Sequence, residues 1–97
     1  MRGAGSTDGN DVTWKVYVLW SLKRPRTYVG CSVDVQERLR QHNAGRVAAT
    51  RNLSPWGVLL VEEVGTYADA RRRERYYKTG AGRRRLAGLI AKLHTER

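Results

Sequence analysis

The chain has 97 residues, the size of one small domain, and its single cysteine, Cys31, excludes an internal disulfide. Nineteen Lys and Arg oppose nine Asp and Glu, and the net charge of +10 favours nucleic acid as a partner over an anionic membrane surface or an acidic protein. The chain has no apolar run of the roughly 20 residues that a membrane span needs, no recognisable secretion signal and no zinc-binding pattern.

The first third of the chain predicts a tail and a β-hairpin. Residues 1–13 are rich in Gly, Ser, Thr, Asp and Asn and predict a flexible N-terminal tail before a single domain at 14–97. Residues 15–22 form a mostly apolar run of strand length, which favours a strand covered on both faces. The basic turn at 23–26 leads into a second strand from Thr27, so the two strands are predicted to form an antiparallel hairpin.

A helix is predicted after the second strand. Asp34 and Glu37 have the spacing of an N-terminal capping box, and Ser32 is a competing N-cap. The helix is predicted to end near Asn43, because Gly45 supplies a stop signal.

The second half predicts a loop, a strand and two helices. Residues 46–56 are predicted to be a loop, and residues 57–64 a third strand that is apolar enough to be internal. A second cap-like pair at Thr66 and Asp69 opens a helix that runs to about Lys78.

The C-terminal end predicts one more helix. Gly80 and Gly82 are expected to end the preceding helix, and a short amphipathic helix then closes the core with Leu86, Leu89, Ile90 and Leu93. The order β-β-α-β-α-α predicts an α+β fold with a small three-stranded antiparallel sheet flanked by helices.

Both of the longer helical segments place polar side chains where an amphipathic helix needs apolar ones. Val35 and Leu39 share a stripe with Arg38 and His42. In the next helix, Glu74 shares a stripe with Tyr67, Ala70 and Tyr77. Such conflicts concentrate at functional sites.

Each of these residues also has an ordinary structural interpretation. His42 alone would more often be a buried histidine with satisfied hydrogen bonds. Glu74 precedes Lys78 by four residues, which is the spacing of a surface ion pair. The combination is more informative than any single residue, because two strand tyrosines, an Arg-x-x-x-His helix and a helical Glu suit phosphodiester hydrolysis. A carboxylate can hold a metal, an arginine can neutralise a phosphate, and a phenol or imidazole can move a proton.

In this order and spacing, the residues resemble the GIY-YIG nuclease family over about residues 14 to 87. Tyr17 is similar to the tyrosine of the first motif, although Lys15 stands where glycine is usual, and Tyr28-Val29-Gly30 matches the second motif. Arg38, ten residues after Tyr28, lies where the family has its essential arginine.

The remaining family positions are also filled, with two departures. His42 stands where members carry histidine or tyrosine, and Glu74 is similar to the family's metal-binding glutamate. Cys31 and Leu86 stand where some members have a lysine and an asparagine. The segments His42-Asn43-x-Gly45, Thr50-Arg51 and Pro55-Trp56 resemble the compact stand-alone branch, which is related to the nuclease domain of the bacterial excision-repair incision subunit.

The resemblance implies metal-dependent hydrolysis of a DNA strand. It implies Mg²⁺ or Mn²⁺ at Glu74, transition-state stabilisation by Arg38, and activation of the attacking water by Tyr17 with Tyr28 close by. His42 could accept the proton or orient the phenol, so the identity of the general base among Tyr17, Tyr28 and His42 stays open. The glycine of the second motif and the cations of the basic loops and of the second helix are candidates for DNA binding. They are Gly30, Lys23, Arg24, Arg26, Arg46, Arg51, Arg71 and Lys78.

The predicted function is a structure-directed, damage-directed or weakly specific endonuclease of DNA repair or recombination. The expected setting is cytoplasmic, or nucleoid-associated in a bacterium, with a monomer or weak homo-oligomer that is targeted by a partner protein. The alternative is a non-catalytic basic nucleic-acid-binding module, which the charge alone supports. Such a module has no reason to place Arg38, His42 and Glu74 on stripes that should be apolar.

Overall fold

A computed structural model describes residues 12–95 of the chain. Most of the predicted tail, residues 1–11, lies outside the described residues, and Val12 and Thr13 lead directly into the first strand. The elements, in chain order, are β1 (Trp14–Ser21), β2 (Thr27–Ser32), α1 (Val35–Asn43), a 3₁₀ helix (Ala48–Leu53), β3 (Trp56–Gly65), α2 (Tyr67–Tyr77) and α3 (Gly80–Thr95). The predicted α+β order is confirmed, and the 3₁₀ helix lies within the segment that was predicted to be a loop.

The sheet is antiparallel with strand order β2-β1-β3, and its centre is the most apolar strand. Val16, Tyr17, Val18 and Leu19 of β1 are all at most 1% exposed, which confirms that this strand is covered on both faces. The prediction that the third strand is internal is wrong, because among residues 12–95 β3 pairs with β1 alone and lies at an edge. An apolar run does not distinguish an edge strand from a central one, since it does not specify the number of paired neighbours.

Helices cover both faces of the sheet, so that two small clusters form the core. On one face, α2 and α3 pack against a cluster of Val16, Val18, Val29, Ala70, Tyr77 and Leu86. On the other face, α1 and the 3₁₀ helix cover a cluster of Tyr17, Leu19, Val35 and Trp56. Successive residues of a strand point to opposite faces, and β1 therefore contributes to both clusters.

Side-chain caps set the beginnings of α1 and α2. The Asp34 carboxylate accepts a hydrogen bond from the Glu37 backbone N–H at 3.0 Å, while the Ser32 hydroxyl accepts one from the Asp34 N–H. The Thr66 hydroxyl accepts from the Asp69 N–H at 3.1 Å. Each cap satisfies a backbone donor that the first helical turn leaves without an intrahelical partner.

The glycines after α2 do not simply end that helix, because Gly80 and Gly82 both belong to α3. A Cβ on Gly82 would lie 2.5 Å from the Tyr77 Cα and would also overlap the Tyr76 carbonyl. Gly82 therefore allows the first turn of α3 to pack directly on the end of α2. Among residues 12–95, no helix combines the length and apolar character that crossing a membrane requires.

Candidate active site

The two strand tyrosines meet over a glycine of the neighbouring strand. Tyr17 of β1 pairs with Gly30 of β2, and the rings of Tyr17 and Tyr28 lie 6.3 Å apart. A Cβ on Gly30 would lie 2.6 Å from the Tyr17 hydroxyl oxygen and 3.0 Å from the Tyr28 ring. Only a residue without a side chain leaves room for the Tyr17 phenol, so Gly30 shapes this side of the site.

Helix α1 brings His42 onto Tyr17. The imidazole is 0% exposed, and its Nε2 lies 3.0 Å from the Tyr17 hydroxyl. The His42 ring also lies 4.7 Å from the Tyr28 ring. Of the two polar residues in the predicted α1 stripe, His42 is thus buried against the two tyrosines, whereas Arg38 is half-buried.

The second nitrogen of the imidazole has a partner that sequence reasoning did not include among the site residues. His42 Nδ1 lies 2.8 Å from the hydroxyl oxygen of Thr50, which is 1% exposed in the 3₁₀ helix. The Thr50 hydroxyl donates its own proton to the Val47 carbonyl at 3.3 Å. With that proton directed at Val47, the Thr50 oxygen accepts from His42, and on this basis we assign the imidazole proton to Nδ1.

This assignment determines the direction of the hydrogen bond to Tyr17. Because Nδ1 carries the proton, Nε2 is an acceptor and the Tyr17 hydroxyl donates to it. A buried hydrogen-bond chain results, from Tyr17 through His42 and Thr50 to the Val47 carbonyl. The lone pairs of the Tyr17 oxygen stay available to another donor.

The 3₁₀ helix that carries Thr50 is held by the start of β3 and the end of α1. The Trp56 indole N–H donates to the Thr50 carbonyl at 3.1 Å. The Asn43 amide bonds both backbone groups of Trp56, at 2.6 Å and 3.2 Å. The sequence indicated Thr50 only through the resemblance of the Thr50-Arg51 and Pro55-Trp56 segments to the compact stand-alone branch. The tertiary contacts are what connect the Thr50 side chain to His42.

Arg38 supplies a positive charge without a carboxylate partner among residues 12–95. Its guanidinium is half-buried and donates to the Gln41 side-chain oxygen at 2.5 Å. Burial, followed by the charge of Arg38, lowers the pKa of His42 to about 4. Burial also raises the pKa of Tyr17, although the hydrogen bond and charge of Arg38 act in the opposite direction. At neutral pH the site therefore holds a neutral imidazole, a protonated phenol and a guanidinium that can bind an anion.

Glu74 of α2 contacts β2 from the face of the sheet opposite to Tyr17 and His42. Its side chain is 14% exposed and pairs with Lys78 at 3.0 Å and Arg71 at 3.8 Å. The Cys31 thiol, next to Gly30 in β2, donates to the Glu74 carboxylate at 3.6 Å. Burial, followed by the charge of Glu74, raises the pKa of this thiol. The candidate site therefore straddles the β2 edge, with Tyr17, Tyr28, Arg38 and His42 on one side and Glu74 on the other.

The donor set around Glu74 suits a hard divalent cation that keeps most of its waters. Within residues 12–95, no group of three or more His, Cys, Asp or Glu side chains forms a protein-only metal cage. Mg²⁺ is commonly bound by one or two carboxylates together with waters and substrate phosphates. The single Glu74 carboxylate, 14% exposed, fits that kind of site.

The predicted DNA-contacting cations are distributed around this centre. Arg71 and Lys78 lie beside Glu74, and the other cations are exposed. Lys23, Arg24 and Arg26 lie in the β1–β2 loop, while Arg46 and Arg51 lie between α1 and β3. The Arg51 guanidinium donates to the Gly45 carbonyl at 3.1 Å.

The buried neutral imidazole predicts a specific pH dependence of stability. The unfolded chain binds a proton at His42 near pH 6.5, whereas the folded chain does so only near pH 4. Because the unfolded state then holds more protons, the free energy of unfolding should fall by about 2 kcal/mol as the pH decreases from neutral to 5. Urea denaturation between pH 7.5 and 5 measures this slope.

Two histidine variants test whether His42 causes this pH dependence of stability. His42→Gln should flatten the pH dependence above pH 5, whereas His94→Gln, which removes an exposed imidazole, should leave it unchanged. The carboxyl groups with lowered pKa values, those of Glu37, Glu62 and Asp69, act mainly below that window. A slope that survives His42→Gln would contradict a buried neutral His42.

Comparison with protein families finds one family whose model matches the chain. The GIY-YIG catalytic domain model matches residues 13–86, about three quarters of the chain. The matched segment contains every candidate catalytic residue and ends at the first turns of α3. Comparison with curated proteins and with solved structures finds no match. The buried Tyr17–His42 pair, the helical Arg38 and Glu74, and the matched family model agree, and the chain belongs to the GIY-YIG family of nuclease domains.

Proposed function

We propose that this protein is a divalent-metal-dependent endonuclease that hydrolyses phosphodiester bonds of DNA. The observation that carries the proposal is the buried Tyr17–His42–Thr50 hydrogen-bond chain beside Arg38, which has no carboxylate partner among the described residues. Burying an imidazole and a hydroxyl costs free energy that a purely structural core would avoid with apolar residues. A nucleophile-activating site beside an anion-binding arginine accounts for both features.

The proposed metal is Mg²⁺ or Mn²⁺, held by Glu74. Nucleases of this family are generally divalent-metal dependent. When bound, the ion supplies positive charge that polarises the phosphate and stabilises the leaving oxygen. Lys78 and Arg71 pair with the Glu74 carboxylate in its absence, so they are positioned to contact the substrate backbone once the carboxylate has another cation.

Arg38 is the proposed electrostatic stabiliser of the reacting phosphate. A guanidinium donates two parallel hydrogen bonds to phosphate oxygens, and it keeps its charge throughout the reaction. Its guanidinium donates to the neutral Gln41 amide and has no carboxylate partner among residues 12–95, so no ion pair must be broken before a phosphate can bind. The charge that develops on the phosphate in the transition state would therefore strengthen an existing interaction.

Tyr17 is the proposed acceptor of the proton from the attacking water. Its oxygen has free lone pairs because its own proton is directed at His42 Nε2. As the oxygen takes a proton from water, it can pass its original proton to the imidazole, and no free phenolate has to form. The negative charge of a bound phosphate offsets Arg38, which removes one of the two causes of the low pKa of His42.

A cleavage assay at low salt tests the proposal. Supercoiled plasmid and labelled flap, branched and linear DNAs are incubated with Mg²⁺, with Mn²⁺ or with EDTA. Metal-dependent products support the endonuclease and rank its substrates. Tight binding without cleavage under every metal would favour the alternative, a non-catalytic basic nucleic-acid-binding module.

Thr50→Val tests the hydrogen-bond chain directly. The variant keeps the shape of the side chain but leaves the His42 Nδ1 proton without its acceptor, so the imidazole is free to change tautomer. We expect kcat to fall by about 10- to 100-fold with little change in KM, because the loss affects proton transfer rather than DNA binding.

The conservative variant separates this role from a packing role. Thr50→Ser restores the hydroxyl and should recover most of kcat, while ¹⁵N NMR of His42 should report the Nδ1–H tautomer in the wild type and in Thr50→Ser. If Thr50→Val keeps full kcat, or if the serine variant fails equally, the hydrogen-bond chain has no part in the reaction.

The wider setting of the enzyme belongs to the same proposal. We extend it to a role in DNA repair or recombination and to an intracellular location. A small, basic, weakly specific nuclease with a single nuclease domain would also need a targeting protein as a further partner. The exposed cations of the β1–β2 loop and of the segment between α1 and β3 would contact the DNA backbone without reading bases.

A further inference from the structure

A groove runs along α3 beside the candidate active site and is not explained by the catalytic residues. Two adjoining hollows of about 600 Å³ and 590 Å³ lie between the β1–β2 loop and α3, and they share Pro25, Arg26 and Ile90. We call this continuous feature the α3 groove. Its extent along α3, from Arg83 to His94, is about 16 Å at the helical rise per residue.

The inner end of the α3 groove opens at the candidate active site. Tyr28 lines the inner hollow, and its ring lies 4.7 Å from the His42 ring. Lys78 lines the same hollow and forms an ion pair with Glu74. A molecule that follows the groove inward therefore comes to the β2 edge, next to Tyr28 and to Lys78 on the Glu74 side.

The floor of the α3 groove is apolar and aromatic. Val29, Leu86 and Ala87 line the inner hollow, and Ile90 lines both hollows. At the outer end, Trp20 lies beside His94 with their rings 5.8 Å apart, and Leu22 is 58% exposed. Such a floor offers flat surfaces to planar rings.

The rim of the α3 groove is cationic, and most of its cations have no carboxylate partner among residues 12–95. Its cations are Lys23, Arg24, Arg26, Lys78 and Arg83. Among the described residues that line the groove, none is Asp or Glu, and only Lys78 has a carboxylate partner. By contrast, Arg40, Arg72 and Arg73 on α1 and α2 each pair with a carboxylate. Unpaired cations along a groove favour a polyanion.

We propose that the α3 groove binds an unpaired DNA strand and leads it to the candidate active site. A single strand presents both phosphates for the cationic rim and unstacked bases for the apolar and aromatic floor. A duplex keeps its bases stacked inside and cannot use that floor. The inference rests on the proposed function for its direction, since the strand is taken to run toward Tyr28 and Glu74, and it names the substrate class as DNA with an unpaired arm.

Binding measured in EDTA tests the groove independently of cleavage. Fluorescence anisotropy compares a labelled single strand, a flap duplex and a blunt duplex for the wild type and for two matched pairs of variants. The first pair is Ala87→Glu and Ala91→Glu, which add the same charge at exposed positions of α3, although only Ala87 lines the groove. The second pair is Arg83→Ala and Arg84→Ala, of which only Arg83 lines the groove.

The groove variants should weaken binding of the single strand and the flap by roughly five- to tenfold. The control variants should change the affinity for the single strand and the flap by less than about twofold. The affinity for blunt duplex should change little, and by the same amount, in both members of a pair. Melting curves verify that all four variants are folded. Equal losses within each pair, or losses of the same size for blunt duplex, would overturn the groove proposal.

The outcome for the groove is distinguishable from the outcome for the nuclease. A wild type that cleaves no DNA under any metal, but whose single-strand affinity depends on Ala87 and Arg83, would remove the proposed reaction and keep the groove. A wild type that cleaves flaps and blunt duplex equally well, with Ala87→Glu at full activity and affinity, would keep the nuclease and remove the groove.

Discussion

Glu74→Gln is expected to abolish metal-dependent cleavage of DNA. The substitution keeps the size of the side chain but removes the negative charge of the carboxylate that lies against Cys31 of β2. An amide oxygen is a much weaker ligand for a hard divalent ion, and the charge stabilisation supplied by the ion amounts to several kcal/mol. A loss of about 10³-fold or more in kcat is therefore expected, measured with plasmid and flap substrates at saturating Mg²⁺.

Folding and DNA binding should survive this change. Glu74 forms ion pairs with Lys78 and Arg71, whose side chains are at least half exposed. These ion pairs therefore contribute little to stability. Losing a negative charge among cations should leave DNA affinity in EDTA unchanged or slightly higher. Glu63→Gln, the same chemical change at an exposed position of β3, is the matched control and should keep full activity.

Two results would contradict the role of Glu74. If Glu74→Gln cleaves DNA at a rate near that of the wild type, the carboxylate does not hold the catalytic ion. If the variant loses binding and melts at a much lower temperature, Glu74 is a structural residue whose ion pairs stabilise α2.

Arg38→Ala is expected to lower kcat by about 10²- to 10³-fold, with the protein still folded. Arg38 is the cation whose charge acts on both Tyr17 and His42, and its guanidinium donates a hydrogen bond to the Gln41 amide oxygen. Removing it takes away the proposed stabilisation of negative charge on the phosphate. Single-turnover cleavage at saturating enzyme measures this loss separately from any change in DNA affinity.

The same helix supplies a matched control for Arg38. Arg40 lies two residues farther along α1, is exposed, and pairs with Glu37. Arg40→Ala should therefore leave kcat within about twofold of the wild type, since an exposed ion pair on a helix contributes little. An Arg38→Ala variant with substantial single-turnover activity, or a loss of equal size in Arg40→Ala, would contradict the transition-state role.

Local signals in the chain were sufficient to predict most elements of the fold. The Asp34 and Thr66 caps begin α1 and α2 where the sequence predicted them, and the apolar run of β1 lies at the centre of the sheet. These signals act between residues that are three or four positions apart, or that alternate along one strand. For that reason they could be found without knowledge of the rest of the fold.

The same local signals could not place elements relative to one another. The apolar content of β3 predicted an internal strand, yet β3 is an edge strand with Val58 and Val61 about 40% exposed. Gly82 was predicted to end α2, whereas it allows α3 to pack on α2. Both differences depend on which segment becomes a neighbour, and the periodicity of one segment does not contain that information.

The sequence by itself determined that this chain is basic, that it forms β-β-α-β-α-α, and that it carries the ordered tyrosine, arginine, histidine and glutamate positions of the GIY-YIG family. Only the tertiary structure decided that His42 lies between Tyr17 and Thr50, that Glu74 reaches β2 from the opposite face, and that a groove runs along α3. The physical reason is distance along the chain. Tyr17 and His42 are 25 positions apart, and Cys31 and Glu74 are 43 apart, so strand order and helix packing are needed to bring each pair into hydrogen-bonding range.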